Sequence, residues 1–152
     1  MREILFRAKR LDHGEWVEGF PYWAEYSGAF ILQNKAYRRR NARTGETSMG
    51  DDIVPIKVDP STVCQYTGLT DKNGEKIWEG DKITMIFSHG QRTANVVGFR
   101  GGSFGLHWKR GGVGHFAAFT GICHVEYEVM GSIHDKEEEG RDYDTAESAE
   151  DM

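Results

Sequence analysis

Cys123-His-Val-Glu-Tyr-Glu-Val129 sets Cys123, Val125, Tyr127 and Val129 on one parity and His124, Glu126 and Glu128 on the other. In an extended chain successive side chains point to opposite faces, so this alternation predicts a half-buried β-strand. The same signal recurs upstream. Lys82-Ile-Thr-Met-Ile-Phe87 is rich in β-formers and follows Glu79-Gly-Asp81, a turn that delivers the chain into a strand. Thr93-Ala-Asn-Val-Val-Gly-Phe99 and Ser103-Phe-Gly-Leu-His-Trp108 flank Arg100-Gly-Gly102, whose glycines allow the positive φ of a tight hairpin. A weaker strand is expected over residues 115–119. Several short strands with Gly-rich turns over residues 82–133 predict a small SH3-like barrel, because closure hides sheet edges.

Towards the N-terminus, Ile4-Leu-Phe-Arg-Ala8 and Trp16-Val-Glu-Gly-Phe20 flank Asp12-His-Gly14 as a first hairpin. Gly28-Ala-Phe-Ile-Leu32 and Ile53-Val-Pro-Ile-Lys-Val58 predict two further strands, the second placed at an edge by Pro55. Lys72-Asn-Gly-Glu75 reads as a turn between Leu69 and Ile77. No window carries an i, i+3, i+4, i+7 apolar stripe of helical length. A short helix is expected near residues 60–63, with Asp59 as its cap and Pro60 at its first position. The expected architecture is therefore mainly β with few short helices. It has an N-terminal region of hairpins and strands over 1–60 and an SH3-like small barrel over 61–134.

Nineteen glycines against three prolines suit such a chain, and eight Phe, six Tyr and four Trp supply bulk for its core. A chain of 152 residues fits one body that buries roughly two thirds of its unfolded surface. The net charge of −5 is unevenly spread. Residues 135–152 hold nine acidic residues against two basic ones, so the other 134 residues carry 15 acidic and 17 basic groups and sit near neutrality. The acidic segment has only Tyr143 as a large apolar group and is expected to be a disordered tail. Cys64 and Cys123 form neither a disulfide framework nor a zinc pattern and are read as two small buried hydrophobes in a reducing compartment. The charged start, Met1-Arg-Glu-Ile-Leu-Phe-Arg-Ala-Lys-Arg10, lacks an apolar signal region, and no stretch reaches the length of a membrane span. The expected location is the cytoplasm, away from membranes.

Three segments together resemble the YopX family of phage and prophage proteins. They are Met1-Arg-Glu-Ile-Leu-Phe-Arg-Ala-Lys9 with Trp16-Val-Glu-Gly19, then Gln65-Tyr-Thr-Gly-Leu-Thr-Asp-Lys-Asn-Gly-Glu-Lys-Ile-Trp-Glu-Gly-Asp-Lys-Ile83, then Glu128-Val-Met-Gly-Ser-Ile-His134. Their order spans residues 1–134. The resemblance implies a phage-encoded, mainly β protein of a bacterial host cell with no catalytic residues to transfer. Residues 21–54 follow no pattern of the resemblance.

The candidate site lies in that unaligned stretch. Lys35, Arg38, Arg39, Arg40 and Arg43 place five cations within nine residues, with Tyr37 among them, and Asn41-Ala-Arg-Thr-Gly45 reads as a loop. Guanidinium groups pair bidentately with phosphate and an aromatic ring stacks on a base, so this basic loop is the candidate for an anionic partner. The same pattern also serves as a solvated loop that keeps a sheet edge from aggregating. A second group, Arg92, Arg100, Lys109 and Arg110 among Phe99, Phe104, His107 and Trp108, reads first as core, because Phe104 and Trp108 share a parity. Gly101-Gly-Ser-Phe-Gly105 matches the spacing of a nucleophile elbow but should be followed by a strand rather than the helix that motif needs. His115, Cys123 and His124 are the one grouping with metal-ligand chemistry, and they fall short of a structural zinc set. The expectation is a protein that acts by binding, without a cofactor or catalytic centre. Its expected partner is another protein or a second copy, giving a homo-oligomer. The alternative is nucleic acid bound by residues 35–43.

Overall fold

A computed structural model describes residues 2–135. The acidic segment from residue 136 on lies outside the described residues. The chain packs as two units, Glu3–Gln65 and the part from Tyr66 on, each with its own apolar cluster.

The N-terminal unit holds β1 (Phe6–Lys9), β2 (Trp16–Ala24), β3 (Gly28–Arg40), β4 (Thr47–Lys57), a 3₁₀ turn at Pro60–Thr62 and the start of β5 (Cys64–Thr70). All its ladders are antiparallel. β2 pairs β1 through Trp16–Gly19 and then β3 through Phe20–Ala24. Gly19 sits at that change of partner, where a Cβ would stand 2.3 Å from the carbonyl oxygen of Leu32. Only glycine allows so close a crossing. Ala8, Ala29, Ile31 and Val58 form the buried cluster, flanked by Phe6, Val17, Ile56 and Val63. The 3₁₀ turn is capped as the sequence predicts: Asp59 accepts from the Ser61 amide, and Pro60 occupies the start of the turn. Thr62 extends the cap by accepting from the Lys9 amide at 2.9 Å.

The second unit contains the rest of β5, β6 (Lys76–Trp78), β7 (Asp81–Phe87), β8 (Arg92–Arg100), β9 (Ser103–Arg110), β10 (Val113–Ala118), a 3₁₀ turn at Phe119–Gly121 and β11 (Val125–Ser132). Five of these strands form a sheet of order β10-β9-β8-β7-β11. Ile83, Met85, Val97 and Leu106 bury one face of it together with Ile77. Each of the fully buried aliphatic side chains stabilises the unit by roughly 1.5–3 kcal/mol relative to exposure. Phe119, Ile122 and Tyr127 pack on the same cluster, with Phe119 and Tyr127 edge-to-face at 5.3 Å.

The closure expected of an SH3-like barrel is not seen among the described residues. β10 and β11 each have a single strand neighbour and end an open sheet. The chain leaves β10 through the Phe119–Gly121 turn, whose Phe119 lies on the buried cluster, and rejoins the sheet at the opposite edge, beside β7. The predicted strand at residues 123–129 is also shifted. His124 adopts φ +60°, which breaks the extension, so β11 starts at Val125 and Cys123 is exposed. Cys64 is the buried thiol, donating to the Thr62 carbonyl at 3.2 Å, and neither cysteine forms a disulfide. Val125, Tyr127 and Val129 keep their predicted core face.

Candidate functional site

The turn in Asp71-Lys-Asn-Gly-Glu75 is organised by one carboxylate. Asp71, 7% exposed, accepts at Oδ1 from the amides of Asn73 (2.8 Å) and Glu75 (2.9 Å), and at Oδ2 from the Val129 amide of β11 (3.0 Å). The Lys72 amide donates to the Tyr127 carbonyl at 2.9 Å, so the turn is tied to β11 twice. Burial opposes ionisation of Asp71, but the three amide donors and nearby Lys72 outweigh it and hold its carboxyl below the ordinary range. Asp81 plays a similar part in Glu79-Gly-Asp81. Its carboxylate accepts from the Trp78 amide at 2.8 Å, while Gly80 at φ +82° donates to Val97 and accepts from Ile133. Asp135, placed in the tail by the sequence reading, instead accepts from the Ser132 amide at 2.8 Å. These carboxylates are committed to backbone donors and serve the fold.

The basic residues occupy another kind of element from the one expected. Lys35 to Arg40 lie within β3, so most of the predicted loop is strand. Eleven consecutive cross-strand pairs, from Phe30–Lys57 to Arg40–Thr47, override the loop reading. Only residues 41–46 turn. Asn41 Oδ1 accepts from the amides of Arg43 and Thr44, Gly45 supplies φ +71°, and Arg43 sits in that turn. β2 leaves β3 after Leu32, so residues 33–40 of β3 have a strand neighbour on the β4 side alone. The result is a two-stranded arm.

Strand parity then divides the cluster. Lys35, Tyr37 and Arg39 share the face of buried Ile31, while Arg38 and Arg40 share the opposite face with Phe30 and Leu32. Tyr37 lies across Gly50, its pair on β4, where a Cβ would meet the phenolic hydroxyl oxygen at 2.5 Å. The Arg39 guanidinium stands 4.6 Å over the Tyr37 ring. Tyr37 is therefore a packed, cation-capped ring rather than a free stacking platform. Lys35 faces Asp52, which offsets charge at the base of the arm. At its distal end, residues 37–48 carry four arginines and one acid, Glu46, a net +3.

The outer face of this unit has a further feature that the sequence reading missed. Phe20 (59%), Tyr22 (53%), Met49 (79%) and Ile53 (71%) are exposed there. Phe20 pairs with Leu32, Tyr22 with Phe30 and Ile53 with Asn34, and directly opposed residues share a face. The signal was present in the alternation of Phe20 and Tyr22 around Pro21, but without the pairing it did not reveal which parity faces out. Elsewhere on the unit, Arg10, Leu11 and Asp12 line a shallow hollow with residues 54–57 of β4. Arg10 forks both carboxylate oxygens of Asp12 at 2.9 and 2.7 Å, which holds that carboxyl down at about 2.

In the second unit the cations and rings do not form one surface. Phe104 and Trp108 share parity with buried Leu106, whereas Lys109 has the opposite parity. Trp108 stacks on His115 at 5.5 Å, and Phe99 meets Phe104 edge-to-face at 5.0 Å. Ser103 opens a strand after the Gly101-Gly102 turn, so the geometry of a nucleophile elbow is not formed. Among the described residues no three His, Cys, Asp or Glu side chains are grouped to hold a metal ion, and no helix is long and apolar enough to cross a membrane.

Two antiparallel sheets, an edge arm with a basic tip and an exposed apolar face define an all-β protein. A family model described as YopX protein matches residues 5–138, and the chain belongs to the YopX family. A comparison with curated proteins finds none that matches.

Proposed function

We propose that this is a phage or prophage accessory protein of the bacterial cytoplasm that acts by binding rather than by catalysis. In this reading its N-terminal arm associates with another protein chain, and first of all with a second copy. The observation that carries it is the open arm: residues 33–40 of β3 lack a neighbour on one side, and β4 ends the strand order. Unpaired strand edges template further pairing, and Met49 and Ile53 add apolar area beside them. Family membership supports the phage origin. Light scattering at high protein concentration should return a mass above that of one 17.2 kDa chain. The paired substitution Met49→Lys with Ile53→Lys should lower that mass towards the monomer, since exposed charge blunts an edge. A monomeric mass for the unmodified chain sinks the oligomer.

A second reading is favoured by the net +3 of the arm tip: an anionic partner, nucleic acid, held by Arg38, Arg39, Arg40 and Arg43. Phosphate contacts release counterions, so affinity should fall steeply with salt and vanish in the triple variant Arg38→Ala, Arg39→Ala, Arg40→Ala. Retention of binding in that variant removes the arm from this role.

A further inference from the structure

We infer that the outer face of the N-terminal sheet is a stacking platform for single-stranded nucleic acid. This rests on the second reading above and extends it from the arm tip to a named surface. β2 carries the exposed rings Phe20 and Tyr22 on one parity, and beyond Glu18 the same parity holds Trp16, a ring capped by Arg7. Phe20 and Tyr22 expose more than half their surface. They stand two residues apart, about 7 Å along the strand. Rings on alternate strand positions offer successive bases separate flat surfaces, and stacking tolerates any base because each has a π-face.

The charge on the same face is complementary to a phosphate chain. Arg7 and Lys9 pair with Glu18 and Trp16, so they share the face of the rings. The Arg7 guanidinium lies 4.1 Å over Trp16 and the Lys9 ammonium 5.3 Å from it. Lys57 pairs with Phe30 beside the rings, while Arg38 and Arg40 keep the same parity six and eight residues beyond Leu32 along β3, roughly 20 and 26 Å away. Against these five cations the face holds Glu18 and Asp51, giving a net +3. Asp51 also accepts from Asn34 at 3.1 Å. Exposed aromatic rings and cations along one face are what a backbone-tracking, base-stacking surface requires. On the opposite face Ala8, Ala29 and Ile31 are buried, and Trp23 is the exposed ring of β2.

Fluorescence anisotropy of the full chain with a labelled oligothymidine of about 16 nucleotides tests this. Phe20→Ala and Tyr22→Ala should each weaken binding about fivefold or more. Both positions are exposed, so far-UV circular dichroism should stay unchanged. The slope of log affinity against log salt should hold in these two variants, because no phosphate contact is lost. Arg38→Ala with Arg40→Ala should instead lower that slope by about 1.4, the value for two contacts on a single strand. Wild-type affinity in both aromatic variants, with loss in the arginine variant, overturns the platform while the anionic-partner reading stands. No binding at low salt overturns both. A fall in solution mass caused by Phe20→Ala, with oligothymidine affinity intact, reassigns this face to a protein partner.

Discussion

Asp71→Ala should destabilise the protein by about 3–5 kcal/mol in denaturant unfolding, because three amide donors lose a charged acceptor at once. Asn73 and Glu75 give the turn its shape through Oδ1, while Val129 is reached through Oδ2 from β11, 58 residues away in sequence. The alanine variant leaves those N–H groups partly buried without a partner. The surface pair Lys72–Glu128, at 3.4 Å, links the same turn to the same strand but adds little, since exposed ion pairs contribute up to about 1 kcal/mol. Asp71→Asn keeps a carbonyl oxygen for one side of the clamp and should fall between wild type and alanine. The pH dependence has a definite sign. The folded carboxyl titrates below the unfolded value of 3.8, so its contribution is complete above that value and is lost as pH falls through the folded one. The stability gap between wild type and Asp71→Ala should therefore narrow in acid. A gap under about 1 kcal/mol at neutral pH contradicts the clamp.

Gly105→Val should cost about 3 kcal/mol or more, while Gly114→Val on the neighbouring strand should be nearly neutral. A Cβ at Gly105 would lie 2.2 Å from the carbonyl oxygen of Ala117 and 2.6 Å from Phe116 Cζ. The first obstacle is backbone, so relief requires β9 and β10 to separate where Gly105 pairs with Ala118. At Gly114 no atom lies within 4 Å of the same position. The two substitutions add the same side chain to one hairpin, which isolates the steric cause from β propensity. Thermal unfolding should separate them by roughly 6–12 °C for a chain of this length. Equal midpoints would show that the strands yield without cost, contrary to this packing. Gly98 belongs to the same face and is covered by the His107 ring, which lies 4.7 Å from Phe116.

These two sites show different degrees of legibility in the sequence. The turn at Lys72-Asn-Gly-Glu75 was readable as turn chemistry, since Asn and Gly at those positions favour it through their own backbone. That the Asp71 carboxylate reaches Val129 was not, because the contact depends on where β11 returns. Gly105 read as one of several hairpin glycines, and in the structure it is instead a point where two backbones crowd.

By itself the amino-acid sequence determined the local elements whose causes are local. The period-two alternation in residues 82–87, 93–99 and 103–108, the Arg100-Gly-Gly102 turn, and the Asp59–Pro60 cap all formed where propensity and short-range hydrogen bonding placed them. The family was legible for the same reason, since its motifs are contiguous stretches. Tertiary structure decided the rest. The tract at residues 35–40 became strand because eleven pairings with β4 outweigh the weak local preference of a charged tract. The second sheet stays open because β10 and β11 do not pair with each other, a long-range outcome with no local signature. The pairing of β2 with β1 and β3 settled which of its parities faces outwards, and with it the exposure of Phe20 and Tyr22. Alternation states that two faces differ; only the neighbouring strands state which one is buried.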